Sequence, residues 1–143
     1  MGLKHIELKL IAIEAAKEAS KILLELSKKK INYKMKSKHD ILSEADLESE
    51  KRIIAKIKEN FPDHSILSEE NGEETNKSDY LWIIDPLDGT INFSRGIEEF
   101  CISIAVEYKQ KLVLGLIYQP INNKMFIAEK GKGANLNSKK IKV

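Results

Sequence analysis

Apolar residues recur at three- and four-residue steps through the first segment of the chain. Ile6, Leu10, Ile13, Ala16 or Lys17, Ser20, Leu23 and Leu26 or Ser27 fall on one helical stripe. The Ala, Glu and Lys residues between them are good helix formers. The helix is expected to end near Lys28-Lys29-Lys30, where cations suit the negative end of its dipole. That lysine run reads as a solvated helix end rather than a phosphate-binding patch. Residues 31–38 show no clear period, and a short strand is expected around 33–36. Ser43-Glu44-Ala45-Asp46 has the Ser-x-x-Asp form of a capping box and predicts the start of a second helix. Ile53, Ile54, Ile57 and Phe61 supply its apolar face, and Pro62 stops it, because the residue before a proline avoids helical geometry.

Beyond Pro62 the period shortens. Ser65-Ile66-Leu67-Ser68 reads as a short strand, 69–79 as an acidic loop, and 80–84 as a buried strand that stops at Asp85-Pro86. Three further strands are expected at 100–108, 111–119 and 124–129. Gln110 marks a tight hairpin between the first two, and Pro120-Ile121-Asn122-Asn123 turns the chain into the third. Two helices followed by a run of strands predict an α+β fold, with the helices packed on a mainly antiparallel sheet.

Composition adds limits rather than detail. The chain has 143 residues, of which 42% are apolar and 32% charged, as in an ordinary soluble domain, so one domain over 1–143 is expected. Lys and Arg number 24 against 22 Asp and Glu, a net charge of +2, which gives no support for direct nucleic-acid binding. A single cysteine, Cys101, can form neither an internal disulfide nor a cysteine zinc site, and a reducing, cytoplasmic location is expected. Apolar runs such as 80–84 and 112–118 fall short of the roughly 18 residues a membrane span needs, so no membrane partner is expected. Glu7 and Glu14 interrupt the first apolar pattern, which is therefore no signal-peptide core, and Ile6 stands where a myristoylation motif has Ser or Thr. Cys101 and Trp82 read as core residues. His5, His39 and His64 read as surface residues rather than metal ligands.

The segment Trp82-Ile83-Ile84-Asp85-Pro86-Leu87-Asp88-Gly89-Thr90-Ile91-Asn92-Phe93 is where chemistry is legible. A strand delivers Asp85 to its C-terminal end, Pro86 fixes the backbone and Asp88-Gly89 permits a sharp turn. Two carboxylates on such a turn can point into one small volume, where they repel unless a cation sits between them. Oxygen-only ligands suit a hard ion such as Mg²⁺. Taken alone, Asp-Gly is also an ordinary turn pair and Asp-Pro an ordinary strand stop. Glu69-Glu70 follows another short strand, and two strands ending side by side would bring Glu69 to Asp85, whereas Glu73 and Glu74 read as solvated. The spacing Asp-x-x-Asp-Gly-Thr differs from the Asp-x-Asp-Gly-Thr of haloacid-dehalogenase-type phosphatases, and no doubly wound pattern follows it.

The stretch from Asp85 to Phe93 resembles the signature of the inositol monophosphatase family, part of a wider lithium-sensitive, Mg²⁺-dependent phosphatase superfamily. Three more blocks resemble it in the right order: Asp40 to Asp46, Ile66-Leu67-Ser68-Glu69-Glu70, and Gly131-Lys132-Gly133-Ala134. The resemblance implies the first half of a layered αβαβα fold. It implies that Glu69, Asp85 and the Leu87 carbonyl ligate a first metal, and that Asp85 and Asp88 share a second. It places Thr90 on the attacking water with Asp46 tuning it, Glu69 among the catalytic groups, and Asp88 with the Gly89 and Thr90 backbone N–H groups at the substrate phosphate. Two or more Mg²⁺ ions, with Mn²⁺ as a substitute, would activate water on one side and stabilise the leaving oxygen on the other, at a separation of about 3.5–4 Å. Ser43, Ser68 and Ile91 depart from the family's usual Thr, Gly and Thr.

What the resemblance implies for function is hydrolysis of a small phosphorylated polyol, myo-inositol monophosphate first. Another sugar or nucleotide phosphate is one alternative. A non-catalytic binding or regulatory role is another, since some bacterial relatives act on RNA-synthesis or ribosome-assembly machinery. Family members are usually nearly twice as long, and their second half carries the aspartate that completes the second metal site. The 143-residue chain is therefore expected to correspond to the first half, to show little activity alone, and to form a homodimer or otherwise self-associate. The strands at 100–108 and 111–119 support the last expectation, because Ile102, Ile104 and Val106 lie on one face while Cys101, Ser103 and Ala105 lie on the other.

Overall fold

The computed structural model describes residues 2–32, 38–69 and 72–142. The chain runs through α1 (Gly2–Asn32), α2 (Lys38–Asn60), β1 (Ser65–Ser68), β2 (Gly72–Glu74), β3 (Tyr80–Asp88), α3 (Thr90–Ser94), β4 (Cys101–Tyr108), β5 (Lys111–Gln119), β6 (Lys124–Glu129), β7 (Gly133–Leu136) and β8 (Lys139–Ile141). The eight strands form one sheet in the order β2-β1-β3-β4-β5-β6-β7-β8, antiparallel throughout except for the β1–β3 pair. The α+β expectation holds, with a third short helix added. None of the described helices is long and apolar enough to cross a membrane.

α1 and α2 pack on each other and on one face of the sheet. The buried stripe of α1 is Leu8, Ala12, Ala15, Ala16, Ala19, Leu23 and Leu26. It is rotated from the expected one: Ile6 is 50% and Leu10 54% exposed. Alanines carry the contact because their small side chains let the two helix backbones approach, and a hydropathy pattern underweights them. Outside that seam Arg52 pairs with Glu18 at 3.1 Å and Lys56 with Glu14 at 3.0 Å. On α2, Ile53 and Ile57 are buried as expected. Its start is not as expected: α2 begins at Lys38, so Ser43 lies inside the helix rather than at its cap. No Gly or Pro separates Lys38 from Ser43, so nothing local stops the helix from extending upstream. The strand expected at 33–36 lies outside the described residues.

Strands β1, β4, β5 and β6 fall where the alternation puts them. Lys109 and Gln110 both have positive φ, 49° and 64°, the twist of a two-residue hairpin. Four strands differ from the reading of the sequence. β2 forms within the acidic segment, pairing Leu67 with Glu73 at the sheet edge. β7 and β8 continue the sheet beyond β6, although β8 is exposed at every residue and has no apolar pattern to announce it. β3 passes through Asp85-Pro86 and ends at Asp88.

That extension positions the chemistry. Asp85 pairs with Ser103 and Asp88 with Cys101, so β3 spends three residues where β4 spends two. The extra residue is a β-bulge. In a regular strand, residues three apart point to opposite faces. Ser103 and Cys101 share a face, so the bulge places Asp85 and Asp88 on that same face. Pro86 is tolerated there because a bulge takes its missing N–H out of the ladder.

Candidate metal and phosphate site

β1 and β3 run parallel, with Ile66 opposite Trp82 and Ser68 opposite Ile84. The next residues along the two strands are Glu69 and Asp85. Their carboxyls lie close enough for Glu69 to act on Asp85, and Asp85 Oδ1 accepts the Leu87 N–H at 3.2 Å. Asp85 is half-buried. Its carboxyl is pushed up to about 6, mainly by burial, then by the neighbouring Glu69, with Asp88 adding repulsion and the Leu87 N–H opposing. Two neighbouring carboxyls that repel each other are placed to share a cation, and every donor is a hard oxygen. The set fits Mg²⁺ in donor type. Among the described residues, no group of three or more His, Cys, Asp or Glu side chains is close enough to hold a metal ion.

The backbone around this pair is held from outside. Ser49 on α2 is fully buried and donates its hydroxyl to the Pro86 carbonyl at 2.8 Å. Asp46, one helical turn before Ser49, is half-buried on the same side of α2. Thr90 opens α3 and is half-buried. The N–H groups of that first turn have no upstream carbonyl within the helix to take them. Gly89 enters the turn at φ 87° and ψ 39°, the left-handed region. A Cβ there would lie 2.8 Å from the Glu99 carbonyl oxygen. Leu87 is buried and Asp88 exposed.

Two residues depart from the sequence reading near this turn. Cys101 is not core: it is half-buried on the Asp88 side, with its thiol 3.8 Å from Asp88 Oδ2. Burial, then Asp88 and Asp85, push that thiol up to about 11, so it stays protonated at neutral pH. Ser49 carries no sequence signal of its role. A serine in a helix interior gives no local signal, and only the packing of α2 on β3 reveals its partner. Beside Asp88 a cavity of about 450 Å³ opens, lined by Gly89, Asn92, Glu99, Lys124 and Phe126 among others. Glu99 precedes β4, whereas Lys124 and Phe126 belong to β6, so the sheet brings them together.

A model of the inositol monophosphatase family matches residues 6–143. The chain belongs to the inositol monophosphatase family. The Nus factor SuhB of Pasteurella multocida is 39% identical over 136 residues, covering 93% of this chain and 51% of its own. The crystal structure of the extragenic suppressor protein suhB from Bartonella henselae superposes with a TM-score of 0.86 at 36% identity, over 96% of this chain and 54% of that one. The inositol monophosphatase of Anabaena superposes with a TM-score of 0.83 at 35% identity, over 100% of this chain and 51% of that one. The chain thus spans about half the length of the curated relatives it matches. Family membership makes this a chain of a phosphatase kind, while the relatives' names divide between a phosphatase and a Nus factor.

Proposed function

We propose that the chain supplies the metal- and phosphate-binding half of a Mg²⁺-dependent phosphomonoesterase whose substrate is a small phosphorylated polyol, myo-inositol monophosphate first. The observation that carries this reading is the convergence of the Asp85 and Glu69 carboxyls at the C-terminal ends of two parallel strands, beside the Gly89 turn. Glu69, Asp85 and the Leu87 carbonyl would hold one Mg²⁺, and Asp85 with Asp88 a second. Bound there, the ions supply the Lewis acidity that makes water a nucleophile and offsets charge on the leaving oxygen. The chain's own groups orient the reaction. The N–H groups of Gly89 and Thr90 seat the phosphate, the Thr90 hydroxyl holds the attacking water, and Asp46 accepts the hydrogen bond that fixes that hydroxyl. The cavity beside Asp88 is of the size that takes a small polyol.

Calorimetric titration with Mg²⁺ tests the site. Weak, saturable binding is expected from the wild-type chain and none from Glu69→Gln or Asp85→Asn, since each leaves one carboxylate of the pair. Equal heats from wild type and Glu69→Gln would remove this assignment. The names of the SuhB relatives favour a second reading, a binding role of the Nus-factor kind. A pull-down comparing wild type with Asp85→Asn separates the two, because a role that needs no metal survives that change.

A further inference from the structure

At the other end of β1 and β3 from the carboxylates, a cleft of about 560 Å³ opens between the start of α1, the end of α2 and the segment before β3. Stacked rings line it. Phe61 lies over His64 with ring centroids 4.5 Å apart, His64 over Tyr80 at 4.5 Å, and Tyr80 against Tyr108 at 4.7 Å. The sequence reading put His64 at the surface; it is only 6% exposed. Its position just past a helix end, beside Asp63, gives no local sign that the following strand draws it under the aromatic residues.

The hydrogen bonding of His64 is one-sided. Its Nδ1 accepts the Trp82 indole N–H at 2.9 Å. An indole only donates, so the neutral imidazole carries its own proton on Nε2. That Nε2–H finds no acceptor among the described residues, and the ring lines the cleft. Although the ring as a whole is nearly buried, its Nε2–H is open to the cleft, where it can donate to a bound group. Other donors surround it. Lys4 Nζ stands 4.8 Å from the Tyr80 ring centroid, and Lys77 lines the same cleft. The Ser78 oxygen accepts the Tyr80 N–H at 3.1 Å, which leaves its hydroxyl proton to give. Asp63 and Asp79 stand among the lining residues too, both exposed. Lys4 and Lys77 thus balance the two aspartates in number, and Lys4 lies over the Tyr80 ring that stacks on His64.

We propose that this cleft is a second binding site, one that takes an oxyanion, the phosphate or carboxylate group of a small molecule. The His64 Nε2–H donates to an anion oxygen, and Lys4 and Lys77 supply the positive charge. The site shares no residue with the Asp85–Glu69 pair and does not depend on the metal reading.

The protein has one tryptophan, and it is bonded to His64, so its indole N–H is a single reporter of the cleft. The experiment follows that resonance in ¹⁵N-labelled chain during titration with sodium phosphate and, separately, sodium acetate. EDTA is present so that the carboxylate turn holds no metal, and sodium chloride keeps ionic strength constant. A saturable shift is expected with at least one anion, and the arm that saturates distinguishes a phosphate from a carboxylate ligand. Lys4→Gln should weaken it several-fold, Lys51→Gln should leave it unchanged, and His64→Phe should abolish it. If the His64 variant does not fold, the Lys4 comparison decides. No shift with either anion, a shift that sodium chloride alone reproduces, or identical titrations of wild type and Lys4→Gln would overturn the proposal.

Discussion

Gly89 is the residue on which the phosphate turn depends. Its φ of 87° lies where a side chain is strained, and a Cβ would also meet backbone, the Glu99 oxygen at 2.8 Å and Phe100 Cα at 3.2 Å. Neither obstacle is the mobile end of a side chain, so the turn itself would have to move. Gly89→Ala is expected to cost about 2 kcal/mol or more, roughly the left-handed penalty for a residue with a Cβ plus the clash. Denaturant unfolding followed through Trp82 measures it, and a loss within about 0.5 kcal/mol of zero would show that the turn relaxes freely. The same scale explains why Cys101 was misread. Its neighbours Phe100 and Ile102 are buried, so the strand looked apolar throughout, whereas the alternation turns Cys101 to the face of the carboxylates.

At the scale of elements, the sequence was most readable where one face of a strand is buried and the other is not. Ile102, Ile104 and Val106 in β4 and Leu114, Leu116 and Tyr118 in β5 alternate cleanly and are all buried. It was least readable where an element is set by its neighbours. Asp-Pro reads locally as a strand stop, yet pairing with β4 carries β3 on through a bulge. The proximity of Glu69 and Asp85 was legible because two short runs ending in acids suggest adjacent strands; the shared face of Asp85 and Asp88 was not, because a bulge has no local signature here. The junction of α2, β1 and β3 gives the prediction at this scale. Burial above all, then Lys4, depress the His64 imidazole to about 4, against the opposing charge of Asp63. The unfolded chain therefore binds the proton more readily than the folded one. Stability from this group is complete above pH ~6.5 and is lost as pH falls toward 4, a change of order 3 kcal/mol. Asp85 works in the other direction, since its raised carboxyl takes a proton in the folded state as pH falls through about 6. Asp85→Asn removes that compensation, so its unfolding free energy should fall more steeply than wild type between pH 6.5 and 4. A flat profile in that variant would contradict the neutral, indole-bonded state of His64.

At the scale of the whole molecule, the helices cover one face of the sheet and leave the other open. Across that open face the register aligns Leu67, Ile83, Ala105, Gly115, Ala128 and Ala134 in one row. The next row holds Asp85, Ser103, Ile117, Phe126 and Leu136. Ile117 is 47% and Phe126 37% exposed, and Leu112 nearby is 59% exposed. A trough of small residues beside a ridge of large ones is a surface that another layer can fit, and apolar patches of more than a few hundred Å² rarely stay wet. The sheet edge is a poorer place to associate, because β8 and its flank carry Lys139, Lys140 and Lys142, and edge lysines discourage strand pairing. The occupant proposed for the open face, when the 143-residue chain is studied alone, is a second copy packed face to face. The carboxylates lie at the border of that face, so the same surface governs whether the site is complete. Glu69 and Asp85 stand side by side, with no group of three side-chain ligands among the described residues. The expected outcome is a dimer or larger species in sedimentation velocity, with little turnover of inositol monophosphate. Ile117→Lys, which places a charge in the centre of the ridge, should shift the chain toward monomer, whereas Lys51→Gln on the outer side of α2 should not. A wild-type chain that sediments as a stable monomer and hydrolyses the substrate at ordinary enzymic rates would show instead that one sheet face, and one pair of contacting carboxylates, suffice for both stability and catalysis.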